Sequence, residues 1–299
     1  MDFLCCEVTY QTAQERDRMN MRNRLISFVV IISMLSCILV GCGETSREQA
    51  AVEVFIAASL KPAMEEIVAN YTADHDNVKI NLHADSSGTL LTQIEEGYEC
   101  DIFFSAATKQ MDQLEQDGLV EEGTRKSVLN NQVVLIKGKG QRTKVTGLTS
   151  LNKAKSIALA AGSVPVGKYT REALKNLDIL KTSKDSSEIT TTEISKTLGD
   201  VEISEQSNVS KVLLAVAEGS CEVGTVYLSD TYGYEDKIEM IETVSNDLTG
   251  DVVYPVCLVK NEEADETQRM KANEFYEYLL RSQTKDVFAK YNFDIDLEK

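Results

Sequence analysis

From Val52 to Tyr227 short apolar runs alternate with segments of helical period, and this restricts the chain to one class of fold. Val52-Glu53-Val54-Phe55-Ile56-Ala57-Ala58 is β-branched and aromatic and ends in small residues, as a buried parallel strand does. Met64, Ile67, Val68 and Tyr71 then recur at helical spacing. Val78, Ile80, Leu82 and Ala84 alternate with Lys79, Asn81 and His83, which predicts a strand with one apolar face. The same reading predicts a helix over about 88–97 and strands over 100–106, 132–136, 156–160 and 222–227. Helices are predicted over 167–177 and 209–217, a late strand over 252–259, and a terminal helix over about 265–280 before a closing apolar segment, 287–293. Such alternation specifies an α/β protein with largely parallel sheets. Residues 181–207 are rich in Ser, Thr, Lys and Glu and poor in apolar side chains, which predicts a surface insertion.

Four strand-to-helix junctions share a chemistry. Ala57-Ala58-Ser59-Leu60-Lys61-Pro62 and Asp85-Ser86-Ser87-Gly88-Thr89-Leu90 each place a hydroxyl at a helix start, with Ser59 a natural N-cap. Val166-Gly167 and Asn208-Val209-Ser210 are two further helix starts. Unpaired backbone N–H groups and the helix dipole both favour an anion there, with no buried cation required. Each of these residues also has a plainer role: Ser59 and Ser87 as simple N-caps, Val166 and Val209 as core.

The N-terminal segment carries an address. Met21-Arg22-Asn23-Arg24 is basic, 25–40 is uncharged and apolar, and Leu39-Val40-Gly41-Cys42 closes the run. This reads as an export signal of the lipoprotein kind, cleaved before Cys42 with lipid then attached to that residue. The apolar run falls short of the roughly 20 residues of a spanning helix, which disfavours an uncleaved anchor. Residues 1–20 are polar and mixed in charge, unlike a signal's n-region, so translation is expected to start at Met19 or Met21. Residues 1–41 balance their charges, so the net charge of −17 belongs to the mature part. That acidity excludes nucleic acid as a partner and makes anion binding a matter of local geometry. Cys100, Cys221 and Cys257 are widely spaced, form no zinc pattern, and read as buried small hydrophobes.

The ordered set of motifs resembles the molybdate-binding proteins of ABC importers, within the type II periplasmic-binding-protein fold. It comprises Val54 to Leu60, Ser87-Gly88-Thr89-Leu90 with Gln93-Ile94-Glu95, Asp101-Ile102-Phe103-Phe104-Ser105-Ala106, Val164-Pro165-Val166-Gly167-Lys168-Tyr169, Gly224-Thr225-Val226-Tyr227-Leu228-Ser229-Asp230 and Tyr254-Pro255-Val256. The resemblance implies two α/β lobes, each a mostly parallel sheet flanked by helices, with the ligand cleft between them. Residues 52–131 plus 252–299 would form lobe I and 132–251 lobe II, after a signal and extension (1–41) and a lipid-anchored tether (42–51). It further implies that Ser59 and Ser87 donate from lobe I, that Val166 and Val209 donate backbone N–H from lobe II, and that the Tyr227 hydroxyl completes the shell. The implied ligand is molybdate or tungstate. No cofactor and no catalysis are implied. The implied partners are the permease of the same importer and the membrane, reached through lipid on Cys42 by a monomer. Asp85 departs from the pattern, since a carboxylate beside a dianion is repulsive unless it points to solvent.

Molybdate and tungstate are fully deprotonated at neutral pH, so a matching site needs donors and no carboxylate acceptor; hydroxyls and peptide N–H groups are such donors. Other readings compete. Gly162-Ser163-Val164-Pro165-Val166-Gly167-Lys168 fits the first seven positions of a P-loop, but Tyr169 stands where Ser or Thr should hold magnesium. A serine hydrolase lacks its G-x-S-x-G elbow, and the two histidines, His75 and His83, fall in settings expected to be solvated. Sulfate or a small organic acid is the remaining alternative, with Lys168 or Arg171 pairing with a carboxylate, or simply solvent-exposed.

Overall fold

The computed structural model describes residues 49–296; the signal, Cys42 and most of the tether lie outside the described residues. The chain opens with β1 (Ala50–Ala57), α1 (Lys61–Asp74), β2 (Val78–Asp85), α2 (Ser87–Glu95), β3 (Ile102–Phe104), α3 (Thr108–Gln116) and β4 (Lys126–Asn131). A single residue, Gln132, separates β4 from β5 (Val133–Gly138). Then come β6 (Ser156–Ala160), α4 (Pro165–Asn176), α5 (Thr191–Thr197), β7 (Glu202–Gln206), α6 (Val209–Ala217), β8 (Val223–Tyr227) and β9 (Ile238–Thr243). The short α7 (Asn246–Thr249) leads into β10 (Val252–Leu258), and α8 (Glu266–Leu279) and α9 (Ser282–Lys290) follow.

Two five-stranded sheets result, ordered β2-β1-β3-β10-β4 and β7-β6-β8-β5-β9. Each is the centre of one lobe of a two-lobed α/β fold, and the chain crosses between them at Gln132 and again after β9. The sheets are less parallel than the alternation predicts. β2, β1 and β3 pair parallel, as do β7, β6 and β8, but β10 and β5 each run antiparallel to both neighbours. Connectivity explains the difference. β5 and β10 are the strands that have just arrived from the other lobe, and no βαβ crossover obliges them to run parallel.

In the first sheet the strand period sorts side chains onto two buried faces. Val52, Val54 and Ile56 of β1 join Ile102 and Phe104 of β3 in the main core, against Met64, Ile67 and Phe275. Phe55, Phe103 and Cys257 point the other way, against Leu90 and Ile94 of α2 and Met111 and Leu114 of α3. Burial of such side chains contributes roughly 1.5–3 kcal/mol each and fixes where the strand ends stand. Cys100, Cys221 and Cys257 are buried free thiols.

Residues 181–207 correct the expectation of a surface insertion. They contain α5, with a capping box between Thr190 and Glu193, and β7, the edge strand of the second sheet. Their few apolar residues are spent almost entirely inside: Ile189, Ile194, Leu198 and Val201 are all buried. An edge strand with one covered face needs few hydrophobes, so low apolar content alone misplaces the segment. Among the described residues no helix is long and apolar enough to cross a membrane.

Candidate functional site

The ends of β1, β2 and β8 and the starts of α2, α4 and α6 meet around a small cavity. Ser59, Ser87, Val166, Val209 and Tyr227, the five residues singled out from sequence, all line it. The lining contains no Lys, Arg or His; its one charged side chain is Asp85. His75 and His83 lie elsewhere, the first stacked on Tyr71 at 4.0 Å and the second bonded to Glu53 at 2.5 Å.

Neither serine caps its own helix. Ser59 sits in a 3-10 turn, Ala58–Leu60, ahead of α1, and its Oγ lies 2.9 Å from Tyr254 Oη. Leu60 occupies the cap position of α1 and contributes no side-chain bond. On α2 the cap is Ser86, whose Oγ accepts from Thr89 N at 3.1 Å. Ser87 Oγ instead accepts from Ala106 N at 2.9 Å, which leaves its own proton free for the cavity. Both serines are buried, so no bulk water competes for these hydroxyls.

At the two helix starts of the second lobe the candidate donors are backbone amides. Val164 precedes α4 without a side-chain cap, and Pro165 at its first position has no N–H, so the Val166 amide heads the helix. Gly167 lets this turn press against the end of β6: a Cβ there would stand 2.2 Å from Ala161 O and 2.5 Å from Ala160 O. Arg171, one turn on, is fully buried rather than solvent-exposed. Its Nη1 donates to Ala160 O and Gly167 O, both at 2.8 Å, and its Nε to Ile189 O at 2.7 Å. Burial lowers its pKa to about 10, which still leaves it charged at neutral pH. On α6, Asn208 Oδ1 caps Lys211 N at 3.0 Å, so the amides of Val209 and Ser210 remain uncapped.

Tyr227 ends β8 with its ring buried, and its Oη has no hydrogen-bond partner among the described residues. Burial pushes its phenol well above the ordinary value, so it holds its proton and can donate. Its backbone N–H donates to Asp230 Oδ2 at 2.9 Å, and burial pushes that carboxyl up to about 7.

Asp85 does not point away to solvent. Its Oδ1 accepts from Ser86 N at 2.7 Å and, across the cleft, from Asn208 Nδ2 at 3.0 Å. The lobes also touch where Lys109 Nζ reaches Ser187 Oγ at 2.9 Å and Asp185 Oδ1 at 3.6 Å. Gly88 meets the facing loop as well: a Cβ on it would stand 2.8 Å from Ser163 O. This is a closed arrangement. Sequence reasoning counted Tyr254 among the stretches of the resemblance but gave neither it nor Asn131 a part in the site; both stand behind Ser59. Nothing in the local sequence marks Asn131, and the Tyr254-Pro255-Val256 stretch signals a strand.

A profile described as "Bacterial extracellular solute-binding protein" matches residues 52–294, and the chain belongs to that family. Within it the chain is a substrate-binding protein of an ABC transporter, a class that carries solutes without transforming them. It is 31% identical to a Bacillus subtilis (strain 168) protein, YvgL, provisionally named an ABC transporter substrate-binding lipoprotein, over 89% of this chain and 97% of the relative. It is 30% identical to the molybdate-binding protein ModA of Escherichia coli (strain K12), over 85% of this chain and 92% of that protein. The solved substrate-binding domain of a provisionally assigned molybdenum ABC transporter from Clostridium difficile superposes with a TM-score of 0.58. It shares 31% identity and covers 82% of this chain and 99% of its own.

Proposed function

We propose that this chain is a lipid-anchored extracytoplasmic receptor that captures molybdate or tungstate between its lobes and delivers it to an ABC permease. The observation that carries the reading is the Tyr227 hydroxyl: buried, protonated, without a hydrogen-bond partner among the described residues, and borne by a residue that lines a cavity with no Lys, Arg or His in its wall. An orphaned buried donor costs about 1–3 kcal/mol, a cost that an acceptor-only ligand removes. Ser59, Ser87, the Val166 and Val209 amides and Tyr227 together supply donors to a tetrahedral dianion. Charge-assisted bonds of this kind are about twice as strong as neutral ones. Relatives from Haemophilus influenzae and Escherichia coli are named for molybdate, which supports the same choice.

On this reading residues 52–131 with 252–299 form one closing body and 132–251 the other. The monomer needs no cofactor and performs no reaction. Cys42 carries the lipid, in keeping with the provisional lipoprotein naming of one relative. Replacing Cys42 with Ala should leave an uncleaved precursor in membrane fractions; normal processing of that variant refutes the anchor. Specificity is tested by thermal unfolding with molybdate, tungstate, sulfate and phosphate in turn. A ligand at 100 times its Kd should stabilise by about 2.7 kcal/mol. Stabilisation by molybdate and tungstate alone is expected. Stabilisation by sulfate or phosphate instead would reassign the ligand.

A further inference from the structure

We infer that Asn131 and Tyr254 form a hydrogen-bond relay that fixes the Ser59 hydroxyl as a donor to the bound anion. The ligand in this inference rests on the oxyanion reading above. Asn131 is the last residue of β4, at the first crossover between lobes, and is buried. Its amide orientation is settled by its neighbours. Oδ1 accepts from Gln132 N at 2.8 Å, a group that only donates, so Nδ2 must face the other way. Nδ2 donates to Ser229 Oγ, in the second lobe, at 2.8 Å and to Tyr254 Oη, in the first, at 3.1 Å.

Tyr254 Oη thereby accepts a hydrogen bond from Asn131 Nδ2 and has only one proton of its own with which to donate. Tyr254 is fully buried, so no bulk water takes that proton, and Ser59 Oγ stands 2.9 Å away. Ser59 Oγ accepts it, and the Ser59 proton is left for the cavity. The relay therefore runs from Asn131 at the crossover, through Tyr254 behind it, to Ser59 in the wall. It makes the hinge a determinant of selectivity. A fully deprotonated dianion meets an O–H wherever it touches Ser59, whereas the P–O–H of hydrogen phosphate would meet donor against donor.

Tyr254 also packs edge-on to Tyr227 and Phe293, with ring centroids at 5.8 and 5.4 Å. Tyr254→Phe keeps that packing and removes only the relay. Calorimetric titration of the purified wild type and variants with molybdate and with phosphate tests the inference. Y254F is expected to bind molybdate about tenfold more weakly, with the molybdate-over-phosphate ratio reduced at least about fivefold. An unlocked Ser59 can then accept as well as donate. Asn131→Asp should reverse the relay: its carboxylate accepts from Tyr254, Tyr254 accepts from Ser59, and Ser59 presents a lone pair to the ligand. Molybdate affinity should fall by roughly 50-fold or more in N131D. It should partly recover in N131D/Y254F, which carries the same charge without the relay. An unchanged ratio in Y254F, or a double variant as weak as N131D, overturns the relay while leaving wild-type molybdate binding intact. A wild type that binds neither anion overturns the oxyanion reading, and the relay with it.

Discussion

The two lobes furnish their halves of the cavity by largely different means. The first lobe presents side chains, the hydroxyls of Ser59 and Ser87, each oriented by a polar partner outside its own helix. The second presents one hydroxyl, that of Tyr227, and otherwise backbone at Val166 and Val209, behind apolar side chains; the place of the α4 start depends on the packing of Gly167 and the bonds of Arg171. The first half is thus a matter of which residue stands at a position. The second is a matter of where the fold holds a helix start. A conservative change should therefore be felt in binding in one lobe and in stability in the other.

The largest effect should come from Arg171→Met. Removing the guanidinium leaves the Ala160, Gly167 and Ile189 carbonyls without that donor in the interior, at about 1–3 kcal/mol for each group left unsatisfied. The chemical denaturation midpoint should drop sharply, with molybdate affinity following as α4 shifts. Ser59→Ala with Ser87→Ala should show the opposite balance: affinity reduced by about 100-fold or more, with a smaller drop in the unfolding midpoint, because Ala106 N and Tyr254 Oη each lose a buried partner. A double variant of unchanged affinity would erase the distinction between the lobes.

Asp230 offers a third contrast, because it anchors the Tyr227 backbone by a buried carboxyl. Its pKa moves from 3.8 to about 7 on burial, so between those values the folded state keeps a proton that the unfolded chain has released. Its contribution to stability is complete below about pH 4 and is lost as pH rises through 7, by on the order of a few kcal/mol at most. Asp230→Asn should flatten that fall, which unfolding curves at pH 5, 6, 7 and 8 would register. Smaller still is Asp85→Asn, which keeps an acceptor for Ser86 N and Asn208 Nδ2 but removes a like charge from the cavity. Molybdate affinity should rise by roughly fivefold, less at high salt. Least of all, Val166→Ala and Val209→Ala should each leave affinity within about twofold while costing roughly 1–2 kcal/mol of stability. A tenfold loss of affinity in either would show that the valine side chains matter to the ligand.

The same contrast explains what was legible beforehand. Ser59 and Ser87 stood out because a hydroxyl at a helix start has a physical meaning in one dimension. Their cap roles did not survive, since Ser86 and a 3-10 turn take those positions, and only tertiary packing decides between adjacent residues. Val166 and Val209 were legible only as parts of helix starts, and the resemblance singled them out as contacts; a valine whose backbone matters looks like any core valine. Asn131 and Tyr254 were illegible because their meeting depends on strands β4 and β10 pairing across 123 residues of sequence. Arg171 early in a helix reads as a surface residue until β6 and Ile189 close around it. Strand–helix alternation gave the α/β class, while the antiparallel strands followed from crossings between lobes that hydropathy does not record.

The most direct test of two-lobe capture is the amide spectrum of 15N-labelled protein, assigned at Val166 and Val209 and titrated with molybdate. Both amide protons should move well downfield as they bond to the oxyanion, in step with the changes at Ser59 and Ser87. Saturable molybdate binding that shifts the first-lobe signals and leaves both valine amides in place would contradict the account.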